Sequence, residues 1–220
     1  MPRNGTLLVK HLGQRPYIET WRRMQTYTDQ RDENSQDQLW LLEHPPVFTQ
    51  GQAGKAEHLL SPGTIPVIQT DRGGQITYHG PGQLVAYLLL DLRRAGLGVR
   101  SLVTLLEDAV ITLLASYGVT ALARRDAPGV YVETAKIASI GLRVRKGCSL
   151  HGLSLNVAMD LEPFSRINPC GYPDLPVTQL SSISNQTDTH KVGEDLARQL
   201  AQCLGYTLIL SSTDSPKQHT

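Results

Sequence analysis

The feature that most constrains this sequence is the run Gln83 to Leu92, where Leu84, Val85, Tyr87, Leu88, Leu89 and Leu90 follow one another almost without a polar break. A strand with one wet face alternates between apolar and polar residues. A continuous apolar run predicts a strand buried on both faces. The spacing predicts helices to go with it. Leu102, Leu106, Ala109, Val110, Leu113 and Leu114 form one stripe over Ser101 to Tyr117, with Ser101 expected as N-cap and Gly118 as the stop. Val192, Leu196, Leu200 and Leu204 form another stripe, closed by Gly205, and Pro16 opens a helix in which Tyr17, Trp21 and Met24 recur.

Further strands are expected at Thr6 to Val9, Leu39 to Leu42 and Thr207 to Leu210. A meander is expected over Gly129 to Glu133, Ile140 to Val144 and His151 to Val157, with Lys146-Gly147 as a turn and His151 on the same face as Leu153 and Leu155. Pro45-Pro46 forces an extended or turning path. Asp29 to Asp37 reads as a solvated helix end or loop, and the polar tail from Ser211 to Thr220 as disordered. With no repeat and no linker, residues 1–210 read as one α+β domain with a mixed sheet.

The 220 residues carry a formal net charge of +1, which argues against binding nucleic acid by general electrostatic attraction. Cys148, Cys170 and Cys203 are odd in number and widely spaced, which fits neither a disulfide framework nor a zinc site and suits a reducing compartment. No secretory segment or membrane-length apolar run is seen, so a cytoplasmic location without a membrane partner is expected.

Two segments carry more chemistry than turns require. Asp71 to Gln83 packs four glycines around Arg72, Gln75, Tyr78 and His79. It lacks the order of a dinucleotide fingerprint and the Gly-Lys-Ser/Thr of a phosphate loop, and it reads as either a complicated loop or a ligand site. In Asn168-Pro169-Cys170-Gly171-Tyr172 a proline and a glycine bracket the cysteine and can hold it rigidly. A thiol nucleophile acts as thiolate and needs a group to take its proton. Lys136, in the small apolar run Thr134 to Gly141, is the candidate, and His79 and His151 keep a Cys–His pairing open. Taken singly, Cys170 reads more plainly as an inert loop or core cysteine, and Lys136 as a strand-end lysine facing water.

Four segments resemble the lipoyl(octanoyl) transferases when taken together and in order. They are Trp40 to Gly51, Arg72 to Gln83, Lys136-Ile137-Ala138-Ser139-Ile140-Gly141, and His151 to Val157 continuing to Ile167-Asn168-Pro169-Cys170-Gly171. The resemblance covers roughly residues 5–182. It implies a mixed β-sheet flanked by helices, like the catalytic domain of biotin and lipoate protein ligases. It also implies a Cys170 thioester with Lys136 as acid/base, and no cofactor or metal. By position it implies substrate binding by Arg72, Gly73, Gly74, Gln75, Ile76, Thr77, Tyr78 and His79, by Ser139, Ile140 and Gly141, and by Gly152, Leu153 and Ser154. Octanoyl-acyl carrier protein would be the donor. Lipoyl domains of 2-oxoacid dehydrogenases and glycine cleavage H protein would be the acceptors. The alternatives are an ATP-dependent lipoate or biotin ligase of the same fold, a non-catalytic carrier-protein binder and a histidine-assisted cysteine hydrolase.

Overall fold

The computed structural model describes residues 5–125 and 127–211. The chain begins with β1 (Gly5–Gln14), α1 (Tyr17–Gln30) and β2 (Asp37–Glu43). The short strands β3 (Val47–Gln50), β4 (Val67–Gln69) and β5 (Ile76–His79) follow, then β6 (Gln83–Leu89) and α2 (Val99–Ser116). Next come β7 (Leu122–Ala123), β8 (Gly129–Val132), β9 (Ala135–Arg145), β10 (Cys148–Asn156), α3 (Thr189–Leu204) and β11 (Tyr206–Leu210). Eight strands form one mixed sheet in the order β11-β1-β2-β6-β10-β9-β8-β7, and β4-β3-β5 form a smaller one. Between strands, parallel pairing joins β1 to β11 and β2 in the large sheet and β3 to β4 in the small one, and a single parallel bridge joins Lys136 of β9 to Val177.

Every residue of β6 is buried, as its apolar run predicts. Leu84, Ala86 and Leu88 join the core beneath α2 and α3, whose predicted stripes are buried there. Val85, Tyr87 and Leu89 join a second cluster with Leu42, Trp40 and Met24 of α1. A third cluster, around Phe48, Ile76, Tyr78 and Phe164, fastens the small sheet to the segment after β10.

The structure corrects several expectations. Ser101 is not the N-cap of α2. The extended backbone of Gly98 starts the helix without a side-chain cap, and the Leu102 amide bonds the Gly98 carbonyl at 3.0 Å. The polar stretch at 29–37 is not wholly solvated. Asp37 is 2% exposed, bonded to the Arg31 and Arg94 guanidinium groups, and accepts the Asp91 amide at 2.8 Å. A carboxylate buried with two arginines and a backbone donor satisfies the rule that buried charge must be paired. The glycine-rich segment is not all loop, because Ile76–His79 in its middle forms β5. His151 leaves the Leu153 face. Its left-handed backbone (φ 62°) breaks the alternation of β10, and its ring meets Tyr87 on the α1 side. The tail expected to be disordered lies, from residue 212 onward, outside the described residues.

Candidate active site

Cys170 sits on a tight turn, Pro169–Gly171, in a left-handed conformation (φ 56°, ψ 17°). The turn is closed by the Gly171 amide on the Asn168 carbonyl (2.9 Å) and the Tyr172 amide on the Pro169 carbonyl (3.1 Å). The Asn168 amide anchors it to the His58 carbonyl at 2.9 Å. Downstream the chain returns beside β9. The Lys136 amide donates to the Pro176 carbonyl (2.8 Å), and the Thr178 amide donates to the Lys136 carbonyl (2.9 Å). The backbone of Lys136 therefore holds the segment that follows the cysteine. A non-glycine residue with positive φ is uncommon, and such strain concentrates where the surroundings over-determine it.

Lys136 does not face water; it is 3% exposed. Its Nζ donates to Cys170 Sγ at 2.8 Å and to the Pro128 carbonyl at 2.9 Å, and it lies 5.4 Å from the centre of the Tyr131 ring. Gly129, at φ +136°, makes the room, because a Cβ there would stand 2.6 Å from Lys136 Cε. Cys148 is buried in β10 and Cys203 is exposed on α3.

The cleft beside Cys170 runs over β9, β10 and β6 on the α1 side of the sheet. Arg72, His79 and Tyr17 bound it opposite the strands. The Arg72 guanidinium is buried and donates to the Thr49 hydroxyl (3.1 Å from Nε, 2.9 Å from Nη2), to the Thr49 carbonyl and to the Gly73 carbonyl (2.9 Å). Among the described residues no carboxylate pairs with it.

Burial favours the neutral form of His44, His79 and His151. Burial pushes His79 well below its usual range, with repulsion from His44 in the same direction. Arginine only donates, so the Thr49 hydroxyl that accepts from Arg72 gives its own proton to His79 Nε2 (3.3 Å), while His79 Nδ1–H donates to Gln83 Oε1 (2.7 Å). Gln83 is fixed in turn by donating to the Tyr78 carbonyl and Asn156 Oδ1. Burial lowers His44 to about 4, and its Nδ1–H donates to the Arg15 carbonyl (2.6 Å) while Nε2 accepts the Tyr87 hydroxyl (2.7 Å). His151 is lowered by burial despite Asp71, whose Oδ1 accepts its Nε2–H at 2.7 Å. Burial opposes the charge on Asp71, yet hydrogen bonds from His151 and Trp21 hold its carboxyl below the ordinary value.

The side chain hydrogen-bonded to Cys170 is thus that of Lys136, while His79 is bonded to Gln83 and His151 to Asp71. Of the other expected site residues, Arg72, Gly74, Gln75, Ile76, Thr77, His79, Ser139, Ile140, Gly141, Gly152, Leu153 and Ser154 line the cleft with Cys170. Gly73 stands behind it, its amide on the Leu142 carbonyl at 2.9 Å. Tyr78 is the misfit: strand alternation turns it from His79 into the Phe48–Phe164 cluster. Tyr17, Val85, Tyr87 and Gly129 were not singled out as site residues. The proline-glycine pair at the start of β8 is the one visible signal for Gly129, and Val85 and Tyr87 are hidden inside an uninterrupted apolar run. Among the described residues no group of three or more His, Cys, Asp or Glu side chains is placed to hold a metal ion, and no helix is long and apolar enough to cross a membrane.

The model of the lipoyl protein ligase A/B catalytic domain matches residues 16–201. The chain belongs to that family. An octanoyltransferase of Pseudomonas fluorescens is 62% identical over 92% of this chain and 94% of its own length, and one of Shewanella amazonensis is 60% identical over 91% and 93%. The resemblance expected from the four segments is therefore borne out. The fold expectation is met as well. A lipoate-protein ligase A bound with ATP superposes with a TM-score of 0.73 at 18% identity, over 96% of this chain and 90% of that one. A biotin protein ligase of Aquifex aeolicus superposes with a TM-score of 0.54 at 12% identity, over 91% and 68%. Family membership thus brings an acyl-handling domain to the cleft in which Cys170 and Lys136 meet.

Proposed function

We propose that this protein transfers an octanoyl group from a carrier-protein thioester to the ε-amine of a lysine on a lipoyl domain, through a thioester at Cys170. The observation that carries the reading is the contact of Lys136 Nζ with Cys170 Sγ at 2.8 Å, in a cleft whose walls match the expected substrate segments. The relatives named octanoyltransferase, at about 60% identity over nearly their whole length, support the acyl group.

In the first half-reaction Lys136 takes the Cys170 proton, and the sulfur attacks the thioester carbonyl. The tetrahedral intermediate collapses, the carrier thiolate leaves, and Lys136 returns the proton to it. In the second half-reaction a neutral acceptor lysine attacks the Cys170 thioester. Lys136 takes a proton from the attacking nitrogen, an amide forms, and the proton passes to the departing Cys170 sulfur. Thioester to amide is downhill, so no nucleotide is required. The Gly171 amide is already bonded to the Asn168 carbonyl and does not serve as the oxyanion donor. The amide of Gln75 suits this role, because its Oε1 is held by the Lys55 amide at 3.1 Å and its nitrogen remains to donate. The donor is octanoyl-acyl carrier protein, the acceptors are lipoyl domains of 2-oxoacid dehydrogenases and glycine cleavage H protein, and the place is the cytoplasm.

The experiment is covalent trapping. The protein incubated with octanoyl-carrier protein and no acceptor is expected to gain one octanoyl group at Cys170 by mass spectrometry, and a lipoyl domain should remove it. Cys170→Ala should neither gain the group nor turn over. Full activity in Cys170→Ala, or pyrophosphate exchange into ATP dependent on octanoate, would replace this reading with that of an ATP-dependent ligase.

A further inference from the structure

The cleft has a floor and an end, and the pairing of strands locates both. Across the large sheet Ser139 of β9 pairs with Ser154 of β10, which pairs with Val85 of β6. One step along, Gly141 pairs with Gly152, and Gly152 pairs with Tyr87. These residues line the same cleft as Cys170. Over β9 and β10 the floor is therefore built of serine and glycine, low enough for a chain to lie across the strands. Larger side chains at Gly152 are impossible, because a Cβ there would stand 2.1 Å from the Ala86 carbonyl. At β6 the floor rises, since Val85 and Tyr87 project into it. Beyond them, paired with Val85 and Tyr87, come Leu42 and Trp40, packed with Met24 under α1.

Tyr87 cannot yield easily as a wall, because its hydroxyl is spent on His44 Nε2 at 2.7 Å and His44 is pinned to the Arg15 carbonyl. Tyr17 closes the corner, stacked on His79 with its hydroxyl 3.0 Å from that of Thr70. The polar groups of Tyr17, Tyr87 and His44 are spent on Thr70, on one another and on the Arg15 carbonyl, leaving ring faces and aliphatic surface toward the cleft, which suits a terminal methyl group, while His151 Nδ1 beside them has no partner among the described residues. From Ser139 on β9 to Val85 on β6, the width of the floor, is two strand spacings, about 10 Å. That is comparable with the length of an extended eight-carbon acyl chain.

We infer that Val85, braced by Tyr87, is the ruler that sets acyl-chain length: the chain lies over Ser139/Gly141 and Gly152/Ser154 and its methyl end stops at β6. The inference rests on the acyl-transfer reading and names the selectivity of that same cleft.

The test compares initial rates of Cys170 acylation by hexanoyl-, octanoyl- and decanoyl-carrier protein. Val85→Ala is expected to raise the decanoyl-to-octanoyl ratio about tenfold, the order set by two further buried methylenes. Val85→Leu is expected to move the preference toward hexanoyl, and it keeps the test open if the smaller side chain unfolds the protein. Leu89→Ala, on the same strand face but outside the cleft, should leave the ratios unchanged. Unaltered ratios in both Val85 variants, or an equal shift in Leu89→Ala, would overturn the ruler while acyl transfer stands. A wild-type chain that takes up no acyl group of any length would overturn the transfer reading and the ruler with it.

Discussion

The two faces of the large sheet solve different problems with the same strands. Toward α2 and α3, β6 offers Leu84, Ala86 and Leu88 to a continuous aliphatic core containing Leu106, Leu113 and Leu196. Toward α1 it offers Val85 and Tyr87, and there the neighbouring strands carry serine and glycine, so the surface is left open as a cleft. Around that cleft stand buried histidines, an arginine without a carboxylate partner among the described residues, and a lysine on a cysteine. The filled face supplies stability through burial. The open face gives up burial for a site, and its buried polar groups stay affordable only because nearly all have partners.

The largest effects should separate the faces most cleanly. Leu106→Ala on the α2 face removes a side chain that is 1% exposed and should cost about 2–5 kcal/mol of unfolding free energy, with the folded fraction still fully active. Lys136→Met on the cleft face keeps the length of the stem and removes the Nζ bonded to Cys170, the proton carrier of the proposed reaction. It should lower the acylation rate of Cys170 about a hundredfold or more while urea unfolding moves far less than for Leu106→Ala. Equal stability losses, or unchanged acylation in Lys136→Met, would erase the proposed division.

The filled face was more legible than the open one. The helix stripes of α2 and α3 announce themselves by spacing, because one period of 3.6 residues suffices to say which side is buried. Cys170 and Lys136 were visible as oddities of local setting, but their contact depends on the return of residues 176–178 beside β9, which no local pattern encodes. Val85 and Tyr87 were hidden because a strand buried on both sides shows no alternation, so only register tells cleft from core. Tyr78 and His151 mark the opposite failure. Each sat in a segment read as a unit, yet alternation in β5 and a left-handed residue in β10 send them elsewhere. Asp37, in a run that looks like solvent-exposed chain, is buried because Arg31 of the same run and Arg94 from distant sequence converge on it.

Acid should sharpen the contrast next. The folded state lowers His44 to about 4 from 6.5, so between those values the unfolded chain binds the proton that the folded chain refuses. Stability from this group is therefore complete at neutral pH and is lost as pH falls from about 6.5 toward 4, by up to about 3 kcal/mol. His79 and His151 are shifted in the same direction and add to the slope. Urea unfolding at pH 7, 6 and 5 should show the decline, and His44→Gln should flatten it. A slope indifferent to His44 would mean that the acid sensitivity does not originate at His44.

The smallest expected change in stability concerns two glycines. Gly98, at the start of α2, has open space where a Cβ would go and an ordinary backbone, so Gly98→Ala should move stability by less than about 1 kcal/mol and leave activity alone. Gly129 differs on both counts. Its φ of +136° disfavours any side chain, and a Cβ would stand 2.5 Å from the Ala138 carbonyl as well as 2.6 Å from Lys136 Cε. Backbone strain of this kind costs about 1–3 kcal/mol. The effect on acylation should be out of proportion to that cost, because the atom to be displaced carries the Nζ that reaches Cys170, and small misplacements of a reacting group are felt steeply. Gly129→Ala is therefore expected to slow Cys170 acylation at least about tenfold with only a modest loss of Tm. If rate and Tm instead fell together as in Leu106→Ala, Gly129 would be part of the packing that holds the sheet rather than the space that seats Lys136.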